Sequence, residues 1–171
     1  MYETYYNVIV DWLDDDPERM CVGGWSYGGY AALVSGVDHP ELFSCVISVA
    51  GLTDLDAAIR DARDFRFGNP QRNFLLKSIE NKAQMQANQP VEVVKRMMLR
   101  TFIAHGEQEL AVEYKQHQTL RRKLKKSDAD VTELTVDDDH YFSIQENRQK
   151  LMRELDGFLT KVHGRSEFTK K

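Results

Sequence analysis

The sequence predicts an α/β fold, a mostly parallel sheet flanked by helices, on three observations. Short apolar runs at 20–22, 45–50, 99–104 and 131–136 alternate with stretches of helical periodicity, the order that strand-helix-strand units produce. The run Cys45-Val46-Ile47-Ser48-Val49-Ala50 lacks polar alternation and reads as a strand of the parallel type, buried on both faces. A glycine-rich turn, Gly24-Trp25-Ser26-Tyr27-Gly28-Gly29, joins the first run to a helix of small residues. In such a sheet, ligand chemistry belongs at the carboxyl ends of the strands.

The elements follow in order. Tyr5-Tyr6-Asn7-Val8-Ile9-Val10-Asp11-Trp12-Leu13 places apolar residues at helical intervals and stops at Asp14-Asp15-Asp16-Pro17. Met20-Cys21-Val22 is the first strand, Tyr30-Ala31-Ala32-Leu33-Val34 lies in the next helix, and His39-Pro40-Glu41-Leu42-Phe43 is a turn. After the strand at 45–50 a polar, mostly helical excursion runs from Asp54 to about Arg96, broken at Gly68-Asn69-Pro70 and Gln89-Pro90. Leu99-Arg100-Thr101-Phe102-Ile103-Ala104 is a third strand, ended by His105-Gly106. A helix over 113–126, a strand over 131–136 and an amphipathic helix over 144–163, apolar at Leu151, Leu155, Phe158, Leu159 and Val162, complete one domain over 1–164. Residues 165–171 read as a frayed, disordered tail.

At 171 residues, 42% hydrophobic and 29% charged, the chain has the composition of a soluble globular domain. A net charge of -4 argues against nucleic acid as a partner, which needs a basic face. The basic run Arg121-Arg122-Lys123-Leu124-Lys125-Lys126 reads as a solvated helix end, where cations are favoured. No apolar run approaches the roughly 18 residues of a membrane span, and Met1-Tyr2-Glu3-Thr4 lacks the basic flank and apolar core of a signal peptide. A cytoplasmic protein is expected, with no membrane partner. Cys21 and Cys45 fall on separate strands without metal-ligand spacing, so free buried thiols, no metal and no cofactor are expected.

Strand, Gly-x-Ser-x-Gly and helix together form the setting of a nucleophile elbow. The serine of such a turn is held in a strained conformation, so its neighbours two positions away on each side, Gly24 and Gly28, must be very small. Ser26 Oγ would then stand exposed, and the Tyr27 N–H at the helix start would face a developing oxyanion. A serine hydrolase is implied, and its partners should follow in the order serine, acid, histidine.

Among five histidines, His39, His117 and His163 read as surface or capping residues, and His105 as a packed residue closing its strand. His140 follows the last strand through Asp137-Asp138-Asp139 and precedes the closing helix, where a general base would hang over the serine. Glu109, in the loop after the third strand, is the acid that would orient His140, with Glu107 and Asp54 as alternatives. Asp138 and Asp139 are too near His140 in sequence to reach its ring easily and read as solvated or capping.

With Ser26, Glu109 and His140 in this order, the chain resembles the catalytic domain of the prolyl oligopeptidase family of serine peptidases. The likeness rests on Gly24-Trp25-Ser26-Tyr27-Gly28-Gly29-Tyr30, Ser48-Val49-Ala50-Gly51-Leu52-Thr53-Asp54-Leu55, Phe67-Gly68-Asn69-Pro70, His105-Gly106 with its acid four residues on, Val112, and Asp139-His140. It implies a three-layer α/β-hydrolase fold, a Ser26-Glu109-His140 triad, Tyr27 as oxyanion donor, and Trp25, Leu55, Ala58 and Val112 near the substrate. The substrate implied is a short peptide or another acyl compound. Family members usually carry Asp where Glu109 stands, and Leu110-Ala111 replaces a commonly polar pair.

The resemblance also implies further strands, a second oxyanion donor and a propeller upstream, so the domain is expected to be truncated at its N-terminus. Its elbow strand would then be an open edge that invites self-association or pairing with an N-terminal part. The alternatives are a carboxylesterase on the same fold and an inactive fragment or assembly subunit of a larger peptidase.

Overall fold

A computed structural model describes residues 19–61, 86 and 89–164. The helix expected at 5–13, the acidic turn after it, the Gly68-Asn69-Pro70 break and the tail from 165 lie outside the described residues. Four strands, β1 (Cys21–Trp25), β2 (Cys45–Val49), β3 (Arg100–Gly106) and β4 (Val131–Val136), form one sheet in the order β1-β2-β3-β4. Each neighbouring pair is parallel. Parallel neighbours need crossovers. Helix α1 (Tyr27–Asp38) joins β1 to β2, and α2 (Leu55–Asp61), α3 (Pro90–Val93) and a 3-10 turn (Val94–Arg96) lie between β2 and β3. Helix α4 (Tyr114–Leu124) joins β3 to β4, and α5 (Gln145–His163) follows β4.

Both faces of the sheet are covered, which explains why the strands read as continuous apolar runs. Phe102 and Ala104 join Cys45, Val49, Leu134 and Val136 on the face that receives Leu151 and Phe158 of α5. Ile103 and Val46 join Ala32 and Leu33 of α1, Val94, Met97, and Leu120 and Leu124 of α4 on the other. Alternate residues of one strand thus feed two cores. β1 runs three residues beyond the expected Met20-Cys21-Val22, through Gly23 and Gly24, because these pair in register with Ile47 and Ser48. The basic run ends α4 as expected, where Arg121 and Lys123 pair with Glu133 and Glu92 at 2.7 and 2.8 Å.

Three expectations need correction. His117 is not a surface residue: it lies with Gln116, Leu120 and Leu124 on the buried stripe of α4 and is 2% exposed. Burial, helped by His105 and Arg121, pushes its pKa down to about 3. The ring is therefore neutral at pH 7, and its contact with Glu133 Oε1 at 3.1 Å is a hydrogen bond from Nε2–H. Cys21 and Cys45 are not free thiols but form a disulfide, with Cα atoms 4.6 Å apart. The spacing in sequence hid their adjacency, since they are register partners on neighbouring strands. His163 is not a plain helix-end residue either, because its Nε2 lies 3.2 Å from Cys21 Sγ.

Candidate active site

β1 ends at Trp25 and α1 begins at Tyr27, so Ser26 alone turns the chain. It does so at φ 56° and ψ -118°, a conformation that costs a non-glycine residue about 1–3 kcal/mol. Hydrogen bonds hold it there. The Ser26 N–H donates to the Val49 carbonyl at 2.9 Å, and the Ser26 carbonyl accepts from the N–H groups of Tyr30 and Leu52, each at 3.2 Å. The loop after β2 therefore clasps the turn. Tyr27, first in α1, has an N–H with no acceptor within its own helix, which leaves it available to an anion.

The steric demand expected of both flanking glycines falls on Gly24. A Cβ there would lie 2.3 Å from the Gly28 carbonyl carbon, whereas a Cβ on Gly28 meets nothing within 4 Å. Gly28 supplies the crowding backbone rather than suffering it. Gly29 carries a demand the motif did not signal, since its Cβ would lie 2.7 Å from Ser48 Oγ and 2.8 Å from Gly51 Cα.

Glu109 follows β3 and turns its carboxylate inward, where the side chain is 0% exposed. Oε1 accepts the N–H groups of Ala111 and Val112 at 2.6 and 3.0 Å, and Oε2 lies 2.5 Å from His140 Nδ1. Burial raises the Glu109 pKa, but the hydrogen bonds from His140, Val112 and Ala111 and the charge of His140 outweigh it, and the net shift is downward. An ionised carboxylate only accepts, so Nδ1 carries the imidazole proton and Nε2 presents its lone pair. The other acids are engaged elsewhere: Asp54 Oδ1 accepts the Ala57 N–H at 2.8 Å, and Glu107 is exposed.

His105 is packed against this loop, as expected of a strand-closing residue, and is 1% exposed. Burial pushes its pKa down, against the opposing effects of the Val112 carbonyl and Glu109. The neutral ring donates from Nε2 to the Val112 carbonyl at 2.8 Å. The Val112 N–H thus donates to Glu109 while its carbonyl accepts from His105, so the buried histidine braces the loop that carries the acid.

Trp25 has a role the motif alone did not assign. Its indole N–H donates to the His140 carbonyl at 2.9 Å, and its ring meets Phe142 edge-on with centroids 5.4 Å apart. The elbow strand and the histidine loop are thereby fastened together. A tryptophan beside a solvent-facing turn was the available signal, because an indole N–H seeks a partner. Phe142, fully buried at φ 51°, gave none. Asp138 is buried rather than solvated, accepting from the Asp139 and Ile144 N–H groups and from Asn147 Nδ2 at 2.8, 3.1 and 2.9 Å. Asp139 binds Ser143 Oγ at 2.7 Å and the Tyr141 N–H at 2.9 Å. Together they shape the loop that presents His140.

Of the residues expected near a substrate, Leu55, Ala58 and Val112 meet in one small buried cluster with Leu52, bordered by Tyr30 and Ile59. Tyr27 stacks on Tyr30 with centroids 5.4 Å apart, at the edge of this cluster. Trp25, at the end of β1, contacts the histidine loop instead.

The profile of the Prolyl oligopeptidase family matches residues 11–166. No curated protein sequence matches this chain. Among solved structures, a puromycin-hydrolysing peptidase from Mycobacterium tuberculosis is similar at TM-score 0.72 and 17% identity, over 92% of this chain and 24% of that one. Porphyromonas gingivalis dipeptidyl peptidase 4 is similar at TM-score 0.72 and 21% identity, over 92% and 21%. The acylaminoacyl peptidase of Pyrococcus horikoshii is similar at TM-score 0.70 and 19% identity, over 94% and 27%. The fold is that of the α/β-hydrolase peptidases, and this chain spans about a quarter of the length of these three.

Proposed function

Because this chain belongs to the prolyl oligopeptidase family, we propose that it is a serine-type hydrolase of short peptides, working through Ser26, His140 and Glu109. Ser26 Oγ attacks the substrate carbonyl, and His140 Nε2 takes its proton. Glu109 holds the Nδ1–H tautomer and stabilises the imidazolium as it forms. The Tyr27 N–H donates to the oxyanion. His140 then returns the proton to the leaving amine, and water, activated by the same nitrogen, releases the acyl-enzyme. The observation that carries this reading is the buried Glu109–His140 hydrogen bond of 2.5 Å, fastened through Trp25 to a strand that ends in a strained serine.

The similarity of the fold to dipeptidyl, acylaminoacyl and puromycin-hydrolysing peptidases supports the reading of the substrate as a short peptide. A fluorophosphonate probe tests the chemistry: Ser26 of the folded chain should be labelled and Ser26→Ala should not. Absence of labelling in folded protein overturns catalysis by this chain and favours an assembly subunit. Comparison of aminoacyl p-nitroanilides with p-nitrophenyl esters separates a peptidase from an esterase.

A further inference from the structure

The end of the sheet opposite the elbow holds a second cluster of reactive groups. Cys21 begins β1 and Cys45 begins β2, roughly 16 Å along the strands from the turn at Ser26. Both face α5, whose last residue, His163, brings Nε2 to 3.2 Å from Cys21 Sγ. One atom from each of Cys21, Cys45 and His163 lies within 4.8 Å of the other two. Ser44 Oγ stands beside them, 3.5 Å from His163 Nε2 and 3.8 Å from Cys21 Sγ.

We propose that, when its disulfide is reduced, this end of the sheet is a two-cysteine, one-histidine site for Zn²⁺ or a similar thiophilic divalent cation. The disulfide is then the oxidised, metal-free state of the same residues. Tetrahedral zinc with bonds of about 2.0 Å to nitrogen and 2.3 Å to sulfur needs ligand atoms about 3.5–3.8 Å apart. The nitrogen already stands near that distance from Cys21, and the two sulfurs reach it by side-chain rotation once their bond is broken. The backbone positions are fixed by two paired strands and a packed helix, so a three-ligand site forms without refolding. Two thiolates neutralise the dication, imidazole is a third ligand of matching softness, and water fills the fourth position next to Ser44 Oγ.

The chemistry balances with a thiol or phosphine reductant. Two electrons and two protons convert the disulfide to two thiols: a dithiol gives up both and becomes its own disulfide, or a phosphine takes the oxygen of one water, which supplies both protons, and becomes its oxide. Metal binding then expels both thiol protons and needs His163 Nε2 unprotonated. A small-molecule disulfide that takes two electrons from the two thiolates, and is itself reduced to two thiols, re-forms the Cys21–Cys45 bond and releases the metal, so occupancy follows the redox state.

The test is anaerobic titration of the untagged full chain with Co²⁺ after phosphine reduction. The expected result is one equivalent bound, with thiolate-to-cobalt charge-transfer bands and intense tetrahedral d–d bands, both erased by one equivalent of Zn²⁺. Zinc should also protect both thiols from iodoacetamide, and the oxidised chain should give no bands. His163→Gln should weaken Co²⁺ binding at least about 100-fold, since even outer-shell partners are worth 10- to 100-fold. Cys21→Ser carries the same expectation if the histidine variant is not folded by circular dichroism. Failure of the reduced, folded chain to bind one tetrahedral Co²⁺ overturns the proposal, as does unchanged affinity in the folded variants. A reduced chain that unfolds and is not refolded by Zn²⁺ also overturns it.

Discussion

Glu109 and His140 are joined through Oε2 and Nδ1 at 2.5 Å, while the second carboxylate oxygen is held by two backbone N–H groups of its own loop. The acid is thus fixed on one side by its backbone and spends only one oxygen on the histidine. Glutamate's extra methylene is accommodated by a loop that folds back over the carboxylate at Ala111 and Val112. Glu109→Gln replaces the acceptor facing Nδ1 with an amide that can present N–H, favouring the other tautomer. Turnover of an ester substrate should fall roughly 10³- to 10⁴-fold with the fold intact, the scale on which a wrong tautomer acts in serine proteases. Exposed Glu107→Gln should stay within about twofold. Equal losses in the two variants would remove Glu109 from its assigned role.

Trp25→Phe isolates the link between the elbow strand and the histidine loop. Phenylalanine preserves much of the edge contact with Phe142 but deletes the 2.9 Å hydrogen bond to the His140 carbonyl. A neutral hydrogen bond contributes about 1 kcal/mol to stability. Displacement of a catalytic group near 1 Å costs about 100-fold in rate. The variant should therefore melt only slightly earlier while its kcat drops about 10- to 100-fold with KM little changed. A fall in stability with no change in kcat would make Trp25 a packing residue only.

Strand order along the chain was legible because it rests on local patterns. The strand over 131–136 and the helix ending at His163 have the bounds that their periodicity indicated, to within a residue. Ser26, Glu109 and His140 were singled out by order and loop position, and the contact of the last two follows from β3 and β4 being neighbours. What escaped the sequence depends on neighbours distant in the chain. Cys21 and Cys45 are 24 residues apart and directly opposite. His117 looks like a polar helix residue until β4 supplies Glu133 as its partner. Phe142 needs a positive φ that nothing about phenylalanine announces.

Gly24→Ala and Gly28→Ala separate two kinds of glycine within one motif. The added carbon at position 24 would sit 2.3 Å from backbone, which cannot yield without moving the elbow, whereas position 28 offers open space. Gly24→Ala should destabilise by about 3 kcal/mol, the upper range for overpacking. Gly28→Ala, early in α1, should be neutral or stabilise by up to about 1 kcal/mol. Urea denaturation of both variants reads the difference directly, and matching midpoints would refute the asymmetry.

His117 sets part of the acid limit of this fold. Its folded pKa of about 3 lies below the ordinary 6.5, so between these values the unfolded chain binds a proton that the folded chain refuses. Stability then rises with pH across that interval and is lost as pH falls from 6.5 towards 3. The slope from this residue is at most about 1.4 kcal/mol per pH unit. His117→Gln keeps a donor for Glu133 but cannot be protonated. The variant should be less stable than wild type at pH 7, because glutamine fills the site less well. Its denaturation midpoint should vary less between pH 6 and pH 4. Parallel pH profiles for wild type and variant would show that the acid sensitivity resides elsewhere, with His105, equally buried and also pushed down by burial, as the next residue to replace.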